Sequence, residues 1–243
     1  TEPLYLGRYE VREIKAPYGY VLNNEPKEAE LTYAGQEFEV RDTVDTEFEN
    51  EYQRVMIRLS KTMENDELFG IGSNGEYKNV RFGLFDEDMT AVIAEKIPFG
   101  KYYVQEIATD EHYVLNGEKY LVTFEYMGQD IQTVDIDCGE FENVIKRGRI
   151  EGHKTDDKSE PLENALFGLF RTDCTEFTES NAIMTAISDE KGYFEFGNIP
   201  YGEYVVREIK APTGYILSDE SYPVSISEDG EVIEITAENK PIT

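Results

Sequence analysis

The chain has 243 residues, 40% of them apolar, with 17 Tyr and 13 Phe but no Trp, which is enough material for more than one core and does not describe a disordered chain. Its 51 acids against 23 bases give a net charge of −28, which repels phosphate backbones and anionic lipid and argues against nucleic acid as a partner; no run of about 18 apolar residues is present to insert into a membrane. Cys138 and Cys174 make at most one bridge and belong to no zinc pattern, and no EF-hand spacing occurs, so neither metal nor cofactor is called for.

In chain order, the first strand signal is "YEVREIKAPYGY" at 9–20, where Tyr9, Val11 and Glu13 alternate and share a face. "EFEN" follows, ending at Asn50. In "VMIRLSK" the residues Val55, Ile57 and Leu59 share a face with Lys61. "GIGSNG" at 70–75 fits a dinucleotide fingerprint, but a poor strand precedes it and a strand, not a helix, follows, so it reads as a loop. "RFGLF", "YYVQEI" and "KYLVTFEY" are strands, and "EFENVI" puts Phe141, Asn143 and Ile145 on one face. "RIEGHK" does the same for Ile150, Gly152 and Lys154, and "YVVREIKAPTGY" at 204–215 for Tyr204, Val206 and Glu208. "SISEDGEVIEI" is predicted as a hairpin turning at Asp229-Gly230, its second arm carrying Ile233, Ile235, Ala237 and Asn239. The acidic clusters "FDEDM" and "TDDKSE" read as solvated turns, and His112 and His153 as loop or strand-surface residues. Nothing is helical at a period of 3.6, so the fold class is all-β.

These signals repeat. The phrase at 9–20 recurs with two changes at 204–215 and more weakly as "YYVQEIATDEHY" at 102–113; "LYLGRY", "IPFGKY" and "IPYGEY" lead into the three copies. Glu13 to Glu106, Asn50 to Asn143 and Lys61 to Lys154 are each 93 residues, the length of a small sandwich domain rather than a solenoid repeat. The expected domains are 1–52, 53–147 and 148–243. Only twelve residues precede Glu13, whereas Lys61 lies 45 residues before Glu106 and Lys154 lies 54 before Glu208. The first domain is therefore expected to be the C-terminal half of a truncated one, without its lysine strand and with an unpaired sheet edge, in a fragment of a longer protein.

Alternation aims one Lys, one Glu and one Asn at the core of each complete repeat. A buried unpaired charge costs several kcal/mol, so the three groups must meet. One outcome is a plain buried ion pair with an asparagine at the strand end. The other uses desolvation, which lowers the pKa of a buried lysine and raises that of a buried glutamate. Proton transfer then leaves a nucleophilic amine, and the acid, hydrogen-bonded to the Asn carbonyl, assists loss of ammonia to give a Lys–Asn amide.

"KTDD...PLENALFGLF", "NIPYGEYVVREIKAPTGY" and "ITAENKP" resemble the B-type (Cna B-like, SpaA or prealbumin-like) repeat domains of Gram-positive surface adhesins and sortase-assembled pilins, and the resemblance covers essentially the whole chain. It implies tandem β-sandwiches of prealbumin-like or inverse immunoglobulin-like type, in an extracellular stalk of a cell-wall-anchored protein. Its partners would be adjacent domains of the same protein, and its isopeptide bonds a single-turnover self-modification rather than enzyme turnover. Carried over by position, Lys154 is the amine, Asn239 the acyl donor and Glu208 the acid; Lys61, Asn143 and Glu106 take these roles in the middle repeat, and Glu13 with Asn50 forms an incomplete triad. The middle repeat departs from the family in "ATDEHYVLN", where "KAPxGY" is usual. The alternative is an adhesin module binding a host protein or glycan through sandwich-end loops, with Tyr18, Tyr20 and Tyr201 as candidate contacts.

Overall fold

The structure, a computed structural model, describes residues 4–33, 35, 46–93 and 96–242. Fourteen strands account for nearly all of its regular structure: β1 Gly7–Val11, β2 Lys27–Leu31, β3 Arg54–Met63, β4 Arg81–Phe85, β5 Gly100–Ala108, β6 Lys119–Phe124, β7 Thr133–Asn143, β8 Arg147–Asp156, β9 Leu166–Arg171, β10 Met184–Ile187, β11 Tyr193–Pro200, β12 Gly202–Lys210, β13 Ser221–Ile226 and β14 Val232–Asn239. Among the described residues the sole helical element is the 3-10 turn Glu76–Asn79, and no helix is long and apolar enough to cross a membrane.

The chain divides into two compact units, one of residues Thr1–Ser60, Leu84–Val104 and Lys119–Gly139, the other of Lys61–Gly83, Gln105–Glu118 and Glu140–Thr243. The strands of the middle repeat, paired as β3-β7 and β4-β5-β6, contribute residues to both. In the first unit, β1 and β2 form an antiparallel ribbon whose inner residues, Tyr9 and Val11 among them, are only half-buried.

The last repeat, wholly within the second unit, is a complete sandwich of sheets β10-β9-β12-β13 and β11-β8-β14. One core draws on both: Ile150, Phe194, Phe196 and Ala237 from the second sheet meet Phe167, Leu169, Val206 and Ile226 from the first. This is the all-β sandwich class expected from the alternation. The β8 alternation holds, with Ile150, Gly152 and Lys154 all buried. Tyr204 closes the corner before β12 by donating its hydroxyl to the Pro200 carbonyl at 3.0 Å; Tyr102 and Tyr9 make the same bond four residues back, to Pro98 at 2.7 Å and Tyr5 at 2.6 Å. Both acidic clusters are turns closed by their own carboxylates. Asp86 Oδ1 accepts from the Asp88 and Thr90 amides, and Asp156 Oδ1 from those of Lys158 and Glu160.

The hairpin expected at 225–235 does not form. β13 and β14 belong to opposite sheets, and β14 runs parallel to β8, with Ala237 opposite Lys154. The physical reason is in the turn and the core. Gly230, at φ 78°, donates its amide to the Arg147 carbonyl at 2.7 Å, and Asp229 accepts the Arg147 amide, which pins the connection to the start of β8. Crossing the core lets Ile226 and Ala237 face the same interior from opposite sides. The strand expected at 140–145 is also longer, starting at Thr133 and ending at Asn143.

Gly152 lies opposite Phe194, and a Cβ there would stand 2.0–2.4 Å from the Phe194 ring, which is stacked on Phe167 with centroids 3.9 Å apart. Gly152→Ala is therefore expected to destabilise the last repeat by about 1–3 kcal/mol through overpacking. Urea unfolding followed by near-UV circular dichroism checks this.

Candidate functional site

The polar residues singled out by alternation converge. Lys154, Glu208 and Asn239 are 1%, 3% and 2% exposed, and Glu106 and Asn143 are each 1% exposed. β8 and its parallel neighbour β14 bring Lys154 beside the end of the asparagine strand. Lys154 Nζ donates to the Ala237 carbonyl at 3.1 Å and the Thr155 carbonyl at 3.3 Å. In the middle repeat Lys61 Nζ donates to the matching carbonyls, Phe141 at 3.0 Å and Thr62 at 2.7 Å, and lies 3.9 Å from Glu106 Oε1. Burial pulls both lysines below the ordinary ammonium range, against the opposing charge of Glu208 for Lys154 and Glu106 for Lys61.

Each acid holds its asparagine in the same way. Asn239 Nδ2 donates to Glu208 Oε2 at 2.8 Å and to the Ile216 carbonyl at 2.9 Å; Asn143 Nδ2 donates to Glu106 Oε2 at 2.8 Å and the Val114 carbonyl at 2.9 Å. The same acid oxygen accepts a backbone amide ten residues on, Ser218 at 2.9 Å or Asn116 at 2.8 Å. Two acceptors flank the amide nitrogen, which fixes the orientation of the carboxamide. This corrects the sequence expectation that the acid bonds the Asn carbonyl: it faces the nitrogen. The second carboxylate oxygens, Glu106 Oε1 and Glu208 Oε1, are buried without a hydrogen bond, as is Asn239 Oδ1. Asn143 Oδ1 differs, accepting the Thr109 hydroxyl at 2.8 Å. Residue 211, which follows Glu208 as Thr109 follows Glu106, is alanine.

Glu13 and Asn50, in the first unit, repeat the arrangement. Asn50 Nδ2 donates to Glu13 Oε2 at 2.7 Å and the Val21 carbonyl at 2.9 Å, and Glu13 Oε2 accepts the Asn23 amide at 2.7 Å. Both residues are half-buried.

The loop after each acid thus supplies a carbonyl at position +8 and an amide at +10, contacts that alternation does not reveal. Their signal is the word that ends each loop, "YVLN" at 20–23 and 113–116 and "YILS" at 215–218. The middle loop, despite "ATDEHY", returns its backbone to the same place. There Asp110 accepts from Asn79 Nδ2 at 2.6 Å and meets His112 Nδ1 at 2.5 Å. Burial pushes the Asp110 carboxyl up, but these bonds outweigh it and hold it below the usual range. Of the remaining candidates, "GIGSNG" is a loop clamped by Glu76, which accepts the Gly72 and Asn74 amides. Cys138 and Cys174 are both free thiols. Tyr18 and Tyr20 belong to aromatic contacts of the first unit and Tyr201 to the second unit.

Glu208→Ala removes the acceptor of a buried and a part-buried donor and the charge opposite a buried lysine, and is expected to cost the last repeat about 3–5 kcal/mol. Glu208→Gln keeps an acceptor oxygen and costs less. Thermal unfolding is expected to rank the alanine variant below the glutamine variant and both below the wild type.

A family model described as a prealbumin-like fold domain, SpaA, matches residues 1–50 and 148–241, more than half of the chain. The trypsin-resistant surface T6 protein of Streptococcus pyogenes serotype M6 is 28% identical over 102 residues, which is 41% of this chain and 18% of that protein. The Bacillus anthracis TIE protein superposes with a TM-score of 0.70 at 26% identity, over 97% of this chain and 42% of that one. A C-terminal fragment of the pilus adhesin SpaC from Lactobacillus rhamnosus GG superposes with a TM-score of 0.48 at 18% identity, over 79% of this chain and 98% of that one. The chain spans less than half the length of the first two. With the sandwich and the match to the family model in hand, the chain belongs to the SpaA family of prealbumin-like fold domains.

Proposed function

We propose that this chain is a structural stalk segment of a pilin or adhesin at a Gram-positive cell surface, organised as repeats 1–52, 53–147 and 148–243. Its two complete sites each close an isopeptide bond, Lys61 to Asn143 and Lys154 to Asn239. The observation that carries the reading is the repeated meeting of an amine, buried at Lys154 and partly buried at Lys61, with a buried acid and a buried carboxamide whose nitrogen is held on the acid. The T6 relative is a surface protein, in keeping with this role.

The geometry suggests an order of events. The lysine ammonium passes a proton to the free carboxylate oxygen, Glu106 Oε1 in the middle site, and the neutral amine attacks the Asn Cγ. A C–N bond forms to Nζ, and the Cγ–Nδ2 bond breaks. Of the two protons the ammonium gives up in all, one reaches Nδ2, already on the other carboxyl oxygen, so that it leaves as ammonia, and the other stays on the Glu carboxyl group. In the middle site the Thr109 hydroxyl stabilises the charge that develops on Asn143 Oδ1. The staples would enclose 82 residues between Lys61 and Asn143 and 85 between Lys154 and Asn239. By analogy with a disulfide of that loop size, each adds about 4–5 kcal/mol.

The intact mass of the denatured, reduced chain is expected to fall short by two ammonia masses, and by one in each of Glu106→Ala and Glu208→Ala. A full mass in the wild type would leave both sites as ordinary buried ion pairs. Thr109→Ala is expected to slow the middle bond by about a hundredfold while leaving the last untouched, which a time course of peptide mapping after synthesis resolves.

A further inference from the structure

Seventeen residues, 64–80, join β3 to β4, where nine, 157–165, join β8 to β9. The longer connection has a structure of its own. Asp66 and Ile71 exchange both backbone hydrogen bonds at 3.0 Å, and Asp66 Oδ1 accepts the Phe69 amide at 3.2 Å, so 66–71 is a closed hairpin with Phe69 near its tip. Gly72 follows at φ 96°, where a Cβ would stand 2.9 Å from the Glu64 carbonyl oxygen, and the buried Glu76 holds the next turn on the Gly72 and Asn74 amides at 2.9 and 2.7 Å. One side of the hairpin is fixed to the repeat that carries it. The Glu64 amide donates to the Asn143 carbonyl at 2.9 Å, the Glu64 carbonyl accepts the Tyr113 hydroxyl at 2.9 Å, and Ile71, Tyr113 and Ile145 bury one another in a small core.

The other side meets the last repeat, and every residue involved lies in the second unit. Arg147, at the start of β8, donates through Nη2 to Glu64 Oε1 at 2.8 Å and Asp66 Oδ2 at 3.0 Å, and Arg171, at the end of β9, donates to the Leu68 carbonyl at 2.9 Å. Between them the Phe69 ring stands edge-on to Tyr204 of β12, with centroids 5.7 Å apart. Phe69 packs against both the small core and the core of the last sandwich, so one ring joins the two. The receiving face is particular to the last repeat. Arg171 ends "FGLFR", and the middle copy, "FGLFD", has Asp86 there, whose carboxylate is taken by its own turn.

We propose that residues 64–79 are a clasp between the middle and last repeats, and that the end of the last sandwich formed by Arg147, Arg171 and Tyr204 is its docking surface. The partner this face fits is a preformed hairpin with an aromatic ring near its tip, a backbone carbonyl for one guanidinium and a pair of carboxylates for the other. The consequence is energetic. The hairpin opens only by giving up the contact of Phe69 with the last core, and β9 and β12 lose that ring whenever it does, so the two stabilities are coupled, and the coupling acts in both directions. It does not depend on the Lys–Asn bonds.

Hydrogen exchange of the full chain, read by mass spectrometry, tests both directions. Phe69→Ala is expected to speed exchange in β9 and β12 about tenfold, as suits the loss of a half-buried ring, while Tyr77→Ala, at an exposed position of the same segment, leaves both strands as in the wild type. Arg171→Ala, which leaves the hairpin sequence intact, is expected to speed exchange of the Gly70 and Ile71 amides, both bonded to the Asp66 carbonyl, about threefold or more. Protection of β6, in the other unit, reports that each variant has folded; should Phe69→Ala lose it, Arg171→Ala decides alone. Faster exchange confined to 66–79 in a folded Phe69→Ala, with β9 and β12 unchanged, would make the hairpin an ordinary surface loop and overturn the clasp. Unchanged exchange at Gly70 and Ile71 in Arg171→Ala would overturn it as well.

Discussion

The rest of the molecule is organised around one requirement, that a buried carboxamide nitrogen have both of its hydrogens satisfied. At Asn239 one goes to the Glu208 carboxylate and the other to the Ile216 carbonyl, and the pattern is kept at Asn143 and Asn50. Because the same carboxylate oxygen also takes a backbone amide from the loop, the loop after the acid must return at a fixed distance along the chain. It supplies its carbonyl eight residues on and its amide ten residues on in all three copies. The topology brings the third group to this place. β14 joins β8 as a parallel neighbour, which sets the asparagine strand beside Lys154, and the chain crosses the core after β13 rather than turning back on it.

Much of this could be read from residue order. Period-2 alternation fixes which side of a strand faces inward, and so it found Lys154, Glu208 and Asn239 from their neighbours Ile150, Val206 and Ala237. Strand pairing is another matter. Asp229-Gly230 has the chemistry of a tight turn whether the flanking strands pair with each other or pass to opposite sheets, and only the contacts of Arg147 with Asp229 and Gly230 decide. Backbone contacts leave no side-chain signature, so the clamping groups at Ile216 and Ser218 escaped alternation, although the fixed spacing of "YILS" and "YVLN" from each glutamate carried the information. The orientation of the carboxamide was also out of reach, because it depends on two acceptors that meet only in the folded chain.

Comparison of the middle and last loops separates what the site demands from how it is met. The last copy turns with "KAPTGY", where Pro212 accepts the Tyr215 amide through its carbonyl at 3.1 Å. The middle copy has no proline or glycine there and uses Asp110, whose carboxylate gathers His112 and Asn79 and whose own carbonyl accepts the Tyr113 amide at 3.0 Å. Both loops deliver their tyrosine to an antiparallel bridge two residues past the asparagine, Tyr113 with Ile145 and Tyr215 with Pro241. The place of return is constrained, and the means of turning is free. One by-product of the change is Thr109, which puts a hydroxyl on the Asn143 carbonyl oxygen where Asn239 has none.

The parallel pairing of β8 with β14 also bears on the proposed stalk role. In a stalk, tension on the last repeat would enter near Arg147, at the start of β8, and leave beyond Asn239, at the end of β14. Parallel first and last strands are then loaded lengthwise in opposite directions, so their hydrogen bonds would share the force rather than open one at a time. A covalent link from Lys154 to Asn239 changes that path. Force would run along β8 to Lys154, cross the amide and leave at Asn239, so that residues 155–238 carry none of it. The lysine sits near the exit end of β8 and the asparagine at the exit end of β14, so the whole of the sandwich beyond the first strand lies inside the unloaded loop. A bond placed at the other end, near Arg147 and Val232, would leave all of β14 under load. A bond at either end would enclose a similar length of chain, and the position of the buried polar cluster decides which strand stays under load, namely β8 and not β14.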